Sequence, residues 1–304
     1  MKNKALPIII FIFIITVFLV WKFSEKKPIS RTQTQIATSF YPLYFFTSEI
    51  VGKDGQVQNL TPAGSEPHDY DLTPQDLAKI YQSKLLIINS TFFEKWSKKI
   101  IESLQNKKVE TLVISDELKK DNTLDREKIS SDPHTWLNPN LAQKEVDIIL
   151  QKLVSIDPQN QTYYSGRAKD LKERLQKLDA EYRAGLSRCA KKDIITSHTA
   201  FAYLAAEYGF RQIPIAGISP DEEPSLQTLK NISDFAKKNN VQYIFFESLA
   251  SPKLSETIAR ETGAKTLVLN PLEGLTKDDI ANGKDYFTEM RSNLESLKRA
   301  LQCQ

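Results

Sequence analysis

Histidine and cysteine are scarce in this chain, which has three histidines and two cysteines among 304 residues. Neither residue type forms a compact ligand motif such as H-x-x-x-H or C-x-x-C, so residue spacing alone does not identify a metal site. An excess of one charge is also lacking, because 41 basic residues nearly balance 38 acidic residues and leave a net charge of +3. That balance gives no reason to expect nucleic acid as a partner.

The chain has one long hydrophobic run, Ala5 to Trp21, which follows Lys2 and Lys4 and contains no charged residue. As a helix, this run would be about 26 Å long, near the lower limit for crossing a bilayer. It is not followed by a small-x-small cleavage site, and no cysteine that could carry a lipid precedes Cys189. We therefore expect an uncleaved N-terminal helix that anchors the protein to the membrane through a polar tether. Cleavage of an atypical signal, which would give a secreted protein, is the alternative.

The two cysteines are Cys189 and Cys303, the second almost at the C-terminus. In an exported chain an even pair indicates a disulfide, here one that would fix the last helix to the start of a second domain. Two unrelated thiols are the alternative. The pair favours an extracytoplasmic location.

Beyond the tether, short apolar strand patterns alternate with helix patterns from Gln35 onward. This alternation predicts an α/β fold with a mostly parallel sheet covered by helices on both faces. The charged segment from Ser115 to Ser131 interrupts the alternation and shows no apolar period.

A long helix is predicted to follow Asp157-Pro158, because apolar residues recur there at spacings of three or four. At about 45 Å this helix is longer than one small lobe needs, so we expect it to join two lobes. The alternation then restarts, with a strand predicted over Ile213 to Ile218 and a final helix over Asp278 to Gln302. The predicted organisation is an N-terminal anchor and tether (1–34), an N-terminal α/β lobe (35–157), a linking helix (158–190) and a C-terminal α/β lobe (191–304).

All three histidines, His68, His134 and His198, fall in loops that precede predicted helices. In open α/β sheets ligands bind beyond the carboxyl ends of the strands. Glu247 and Glu273 also directly follow predicted strands, so they should point into the same crevice. A site built from these residues would lie between the lobes. Taken alone, His68 would be interpreted as a solvated loop histidine.

Three imidazoles and one carboxylate make a four-coordinate set suited to Zn²⁺. Oxygen-rich sets favour Mn²⁺ or Ca²⁺, whereas nitrogen donors favour zinc and its late neighbours. The residue types therefore favour one Zn²⁺ per chain over Mn²⁺.

Three segments carry a resemblance: Gly64-Ser65-Glu66-Pro67-His68-x-Tyr70-x-Leu72-Thr73-Pro74, Asp132-Pro133-His134-x-Trp136-Leu137-Asn138-Pro139 and Ser197-His198-x-Ala200-Phe201. They resemble the histidine motifs of the zinc-binding solute-binding proteins of ABC transporters, of the ZnuA/TroA type, in order and over nearly the whole chain after the anchor. The resemblance implies two α/β lobes joined by one rigid helix, with the metal between them. It also implies delivery of the metal to a membrane permease driven by an ATPase.

The fourth ligand is predicted from the same resemblance. Many relatives have an aspartate where Asn270 stands, whereas the stretch from Leu269 to Glu273 is similar to AdcA-type members whose ligand is the nearby glutamate. The predicted ligands are therefore His68, His134, His198 and Glu273, with Glu247 or a water as alternatives for the fourth. Glu247 would otherwise orient a histidine. Glu66 is expected to be solvated, with occasional coordination of the metal as the alternative.

The predicted function is an extracytoplasmic, high-affinity zinc-binding protein that captures Zn²⁺ and delivers it to an ABC-type metal importer. We expect a monomer with no catalytic activity, whose partners are the importer's permease and, through the N-terminal helix, the membrane. A zinc-dependent hydrolase is the alternative from another class, since three histidines and a water can form a catalytic site with Glu247 as base. A manganese-binding member of the family is the second alternative, and some members are also proposed to be surface adhesins.

Overall fold

The computed structural model describes residues 34–121 and 125–304, and Thr34–Gln304 form one compact unit. The predicted membrane anchor falls at residues 1–33, outside the described residues. Within the described ranges, every helix is too short or too polar to cross a bilayer.

Two four-stranded sheets form the framework, and every strand pair in them is parallel. The strands of the first sheet are β1 (Gln35–Thr38), β2 (Gln56–Asn59), β3 (Leu85–Ile88) and β4 (Glu110–Val113), and those of the second are β5 (Asp193–Thr196), β6 (Arg211–Pro214), β7 (Tyr243–Phe246) and β8 (Lys265–Val268). The strand orders, β2-β1-β3-β4 and β6-β5-β7-β8, repeat one topology. The predicted α/β class with two lobes is therefore confirmed.

Twelve α-helices flank the sheets in the described residues. They are α1 (Tyr41–Val51), α2 (Pro74–Gln82), α3 (Ser97–Leu104), α4 (Ile114–Leu118), α5 (Arg126–Ser131), α6 (Pro139–Ile156), α7 (Gln161–Leu186), α8 (Ala202–Tyr208), α9 (Leu226–Lys238), α10 (Lys253–Thr262), α11 (Lys277–Ala281) and α12 (Tyr286–Leu301). Thr73 caps α2 with Pro74 at its first position, and Asn138 caps α6 with Pro139 in the same role. Both predicted helix starts are confirmed.

Helix α7 contacts elements of both lobes, packing against α1 and α6 on one side and α12 on the other. Its buried face consists of the apolar residues at spacings of three or four on which its prediction rested: Tyr164, Ala168, Leu171, Leu175, Leu178, Tyr182 and Leu186. At 26 residues it is about 39 Å long. The proposed domain limits around it stay a prediction.

The prediction of one final helix over Asp278–Gln302 was wrong. The segment holds two helices, because Gly283 takes a left-handed conformation with φ of 72° and Asp285 then caps α12 through the backbone N–H of Thr288.

The strand predicted over Ile213–Ile218 lies instead at Arg211–Pro214. Its position is fixed by pairing with β5, in which Asp193 lies opposite Arg211. The interruption predicted over Ser115–Ser131 contains two short helices, α4 and α5, and the second is capped by the Asp125 carboxylate.

Cys189 and Cys303 form the predicted disulfide, across a sequence separation of 114 residues. Around it, the N–H of Gln304 donates to the carbonyl of Arg188 at 3.0 Å. The bond joins the chain just after α7 to the chain just after α12, which confirms the predicted attachment of the last helix.

Candidate metal centre

His68 lies on a single 3₁₀ turn, Pro67–Asp69, in the loop that follows β2. The Glu66 carboxylate caps this turn by accepting a 3.0 Å hydrogen bond from the backbone N–H of His68. The His68 ring packs edge-on against Phe93, with 4.5 Å between ring centroids. Capping and packing together fix the direction of the imidazole.

His134 is held by the residue two positions before it. Oδ1 of Asp132 accepts hydrogen bonds from the backbone N–H of His134, at 3.0 Å, and from its Nδ1, at 2.8 Å. The carbonyl of Asp132 also accepts a hydrogen bond from the Tyr203 hydroxyl of the second lobe, at 3.1 Å. The Asp-Pro-His motif thus orients the imidazole of His134. This role was not predicted from the sequence, although the motif places Asp132 two residues before the histidine.

His198 follows β5 and Glu247 follows β7, so the two residues come from neighbouring strands. Nδ1 of His198 lies 2.8 and 2.9 Å from the two carboxylate oxygens of Glu247. Glu247 therefore lies where a carboxylate can orient His198, which was one of its three predicted roles.

Glu273 lies in the loop after β8 and meets the three histidines at one point. Its Oε1 is 3.2 Å from Nε2 of His68, 3.1 Å from Nε2 of His134 and 3.3 Å from Nε2 of His198. The Nε2 atoms of His134 and His198 are 3.3 Å apart. All four ligand atoms lie within 4.8 Å of one another, so the structure brings the four predicted ligands together.

The four separations of 3.1–3.3 Å come close to the edge lengths of a zinc coordination tetrahedron. Zn–N and Zn–O bonds of about 2.0–2.2 Å place neighbouring ligand atoms roughly 3.3–3.5 Å apart. Hydrogen bonding alone explains the cluster poorly, because three imidazole nitrogens converge on one oxygen atom. A cation at the centre would satisfy all four atoms at once.

The hydrogen bonds of two histidine rings also favour metal binding through Nε2. Nδ1 of His134 and Nδ1 of His198 each donate to a carboxylate, so the proton of each neutral ring stays on Nδ1. Each Nε2 lone pair then points at the common centre. Carboxylates behind histidine ligands play this orienting part in metal sites.

Each of the four side chains in this centre is at most 5% exposed. The effect of this burial on their pKa values is opposed by neighbouring groups of opposite charge. Burial alone would raise the pKa of Glu273, but the imidazoles of His198 and His68 hold it well below its usual range. Burial would lower the pKa of His198, yet Glu247 and Glu273 raise it well above its usual value. Burial would also lower the pKa of His134, but Asp132 and Glu273 raise it above its usual value.

Glu66 differs from its prediction, because it is half-buried rather than solvated. Burial and the nearby Glu273 carboxylate raise its pKa to about 9. It does not belong to the group of four converging ligand atoms. Asn270 is also buried, and its side chain points to Glu289 of α12.

Two parallel α/β lobes, bridged by one long helix and enclosing three histidines and a carboxylate, define a class, the metal-binding solute-binding proteins. The family model described as "Zinc-uptake complex component A periplasmic" (ZnuA) matches residues 36–300. The chain belongs to this ZnuA family.

Individual relatives agree with this assignment. The high-affinity zinc uptake system protein ZnuA of Bacillus subtilis (strain 168) is 42% identical over 277 residues, which cover 88% of this chain and 87% of that protein. The zinc-binding protein AdcA of Streptococcus pyogenes serotype M18 is 35% identical over 98% of this chain, which spans 61% of AdcA. The solved Zn(II)-bound ZnuA-like domain of Streptococcus pneumoniae AdcA superposes with a TM-score of 0.78 at 38% identity, covering 88% of this chain and 99% of that domain.

Proposed function

We propose that this protein binds one Zn²⁺ through His68, His134, His198 and Glu273, outside the cytoplasm, and delivers it to an ABC-type metal importer. The observation that carries the proposal is the convergence of four buried ligand atoms, which all lie within 4.8 Å of one another and of which Oε1 of Glu273 is 3.1–3.3 Å from each of the three Nε2 atoms. The relatives named for zinc uptake and zinc binding support the same cargo.

Zinc is favoured over manganese by the composition of the set. Three nitrogen donors and one oxygen donor suit Zn²⁺, whereas Mn²⁺ prefers carboxylate-rich sets. The second carboxylate of the centre, Glu247, is occupied by Nδ1 of His198. A manganese-binding function would need Glu247 to leave that histidine.

A hydrolase is disfavoured because catalytic zinc sites keep one coordination position for water. Here a protein carboxylate fills the fourth position, and all four ligands are buried. Glu247, which would have to act as the base, is used to orient His198.

The proposed location is extracytoplasmic, with residues 1–34 as membrane anchor and tether. The disulfide between Cys189 and Cys303 supports an oxidising compartment. The proposed partner is the permease of the importer, and the protein is proposed to act as a monomer.

Transport tests the proposal directly. Cells that express the importer but lack their own zinc-binding component should regain uptake of radioactive zinc with the wild-type chain and not with His134→Ala. Asn231→Ala, on the exposed surface of α9, is the matched control and should transport normally. Equal uptake with His134→Ala would contradict the site.

A further inference from the structure

Asn270 lies at the start of the loop that carries Glu273, and both ends of its carboxamide are engaged. Its Oδ1 accepts a 2.8 Å hydrogen bond from the backbone N–H of Leu272, and its Nδ2 donates to Oε2 of Glu289 at 3.1 Å. The side chain therefore connects the loop to helix α12.

A second amide holds the backbone of the same residue. Oδ1 of Asn293 accepts from the N–H of Asn270 at 2.8 Å, and Nδ2 of Asn293 donates to the carbonyl of Asn270 at 2.6 Å. Asn270 is 2% exposed and Asn293 is also 2% exposed, so neither amide is available to water. Buried amides that are hydrogen-bonded at both their oxygen and their nitrogen favour a single backbone path.

The contact partners specify an amide at position 270. The backbone N–H of Leu272 needs an acceptor, whereas the Glu289 carboxylate needs a donor. Glu289 keeps its charge paired because its other oxygen lies 3.1 Å from Nζ of Lys284. A carboxylate at position 270 would face Glu289 with like charge.

The loop needs such support. Leu272 has a left-handed backbone, with φ of 55°, which a branched side chain rarely adopts. His134 and His198 are each oriented by a carboxylate behind the ring, but Oε2 of Glu273 is buried with no hydrogen-bond partner among the described residues. The direction of Glu273 is therefore set by the path of its loop.

We propose that Asn270 is a positioning residue: it holds Leu272 in the left-handed conformation that turns Glu273 into the metal centre. This inference rests on the proposed function, because it takes Glu273 as the fourth zinc ligand. Asn270 acts through Glu273 and does not itself bind the metal, since its oxygen is held by the N–H of Leu272.

Zinc affinity of the full-length chain, measured by competition with a chelator, tests the proposal. Asn270→Ala and Asn270→Asp should each weaken Zn²⁺ binding about 10- to 100-fold, as losses behind a ligand commonly do. Asn231→Asp on α9 is the matched control and should bind as the wild type does. In Asn270→Asp, adding Glu289→Gln restores a donor opposite the new carboxylate and should recover most of the affinity.

The decisive readout is a mutant cycle with Glu273→Ala. If Asn270 acts through Glu273, Asn270→Ala should change zinc affinity less than about threefold when Glu273 is already alanine. Co²⁺ loaded into Asn270→Ala should show an altered visible absorption spectrum, because its coordination geometry changes. Additive losses in the cycle, or failure of the Glu289→Gln rescue, would overturn the positioning role.

The same variants separate this inference from the proposed function. If Glu273→Ala alone binds zinc like the wild type, the proposed fourth ligand is wrong. If Glu273→Ala binds weakly and Asn270→Ala binds normally, only the positioning role fails.

Discussion

Nδ1 of His198 lies 2.8 Å from Oε1 of Glu247, on the side of the imidazole opposite the nitrogen that faces Glu273. The two glutamates were alternatives for the fourth ligand, and this contact separates their proposed roles. Glu247 would accept a hydrogen bond from Nδ1–H of His198, whereas Glu273 would bind the metal together with Nε2 of the same ring.

Substitution of the two glutamates should therefore have unequal effects. We expect Glu273→Ala to weaken Zn²⁺ binding by more than about 100-fold, and Glu247→Ala by about 10- to 100-fold because only an orienting partner is lost. Glu295→Ala, on the exposed surface of α12, is the control in calorimetric titrations. Loss of binding in Glu247→Ala alone would reverse the assignment.

Zinc binding should release protons and weaken as the pH falls. The carboxylates of the centre raise the pKa of His134 and His198 despite the opposing effect of burial, so protons compete for Nε2 at a higher pH than in a free histidine. Affinity should fall as the pH drops through these raised values. Calorimetry in two buffers of different ionisation enthalpy counts the released protons. A zinc affinity that does not change between pH 8 and pH 6 would contradict the expectation.

The contribution of Glu145 to the free energy of unfolding should decrease as the pH rises from about 4.5 to about 8. Burial raises the pKa of this carboxyl to about 8, so the folded protein keeps a proton that the unfolded chain loses near pH 4.5. The stability it contributes is complete below the unfolded pKa and is lost progressively up to about pH 8, above which both states have lost the proton. Denaturant titrations of Glu145→Gln should show a smaller decrease, since the amide still offers an acceptor to the Thr135 hydroxyl. A decrease as large as that of the wild type would exclude Glu145 as a source.

Removal of the disulfide should destabilise the protein while leaving the metal centre intact. The bond closes a loop with a sequence separation of 114 residues, and loss of such a bond commonly costs about 2–5 kcal/mol. Cys303→Ser should lower the unfolding midpoint and retain wild-type zinc affinity, because neither cysteine is among the four converging residues. Mass spectrometry of the wild type before and after reduction checks that the bond is present. Weakened zinc binding in the variant would show that the C-terminal attachment also shapes the centre.

The sequence predicted those features whose causes are local. Thr73 and Pro74 cap α2 with contacts inside one turn, and the buried face of α7 follows from its own 3.6-residue period. The histidines were identified as a set because each follows a strand or precedes a helix, and parallel strands bring their carboxyl ends to one edge.

Features that depend on residues distant in the chain could not be predicted from the sequence. The predicted limits of strand β6 were wrong because they are set by pairing with β5. The periodicity of a single segment contains no information about that pairing. Asn270 could be read only as a missing ligand, since Glu289 and Asn293, which give it a role, lie on α12. The orienting role of Asp132 needed the direction of the His134 ring, which spacing does not provide.

A metal titration tests the central proposal most directly. Zn²⁺ and Mn²⁺ would be titrated separately, and in competition, into metal-free protein. The account predicts one Zn²⁺ per chain, and Mn²⁺ binding at least 100-fold weaker (about 2.7 kcal/mol) because three nitrogens and one carboxylate suit zinc. Failure to bind zinc, or equal affinity for the two metals, would contradict it.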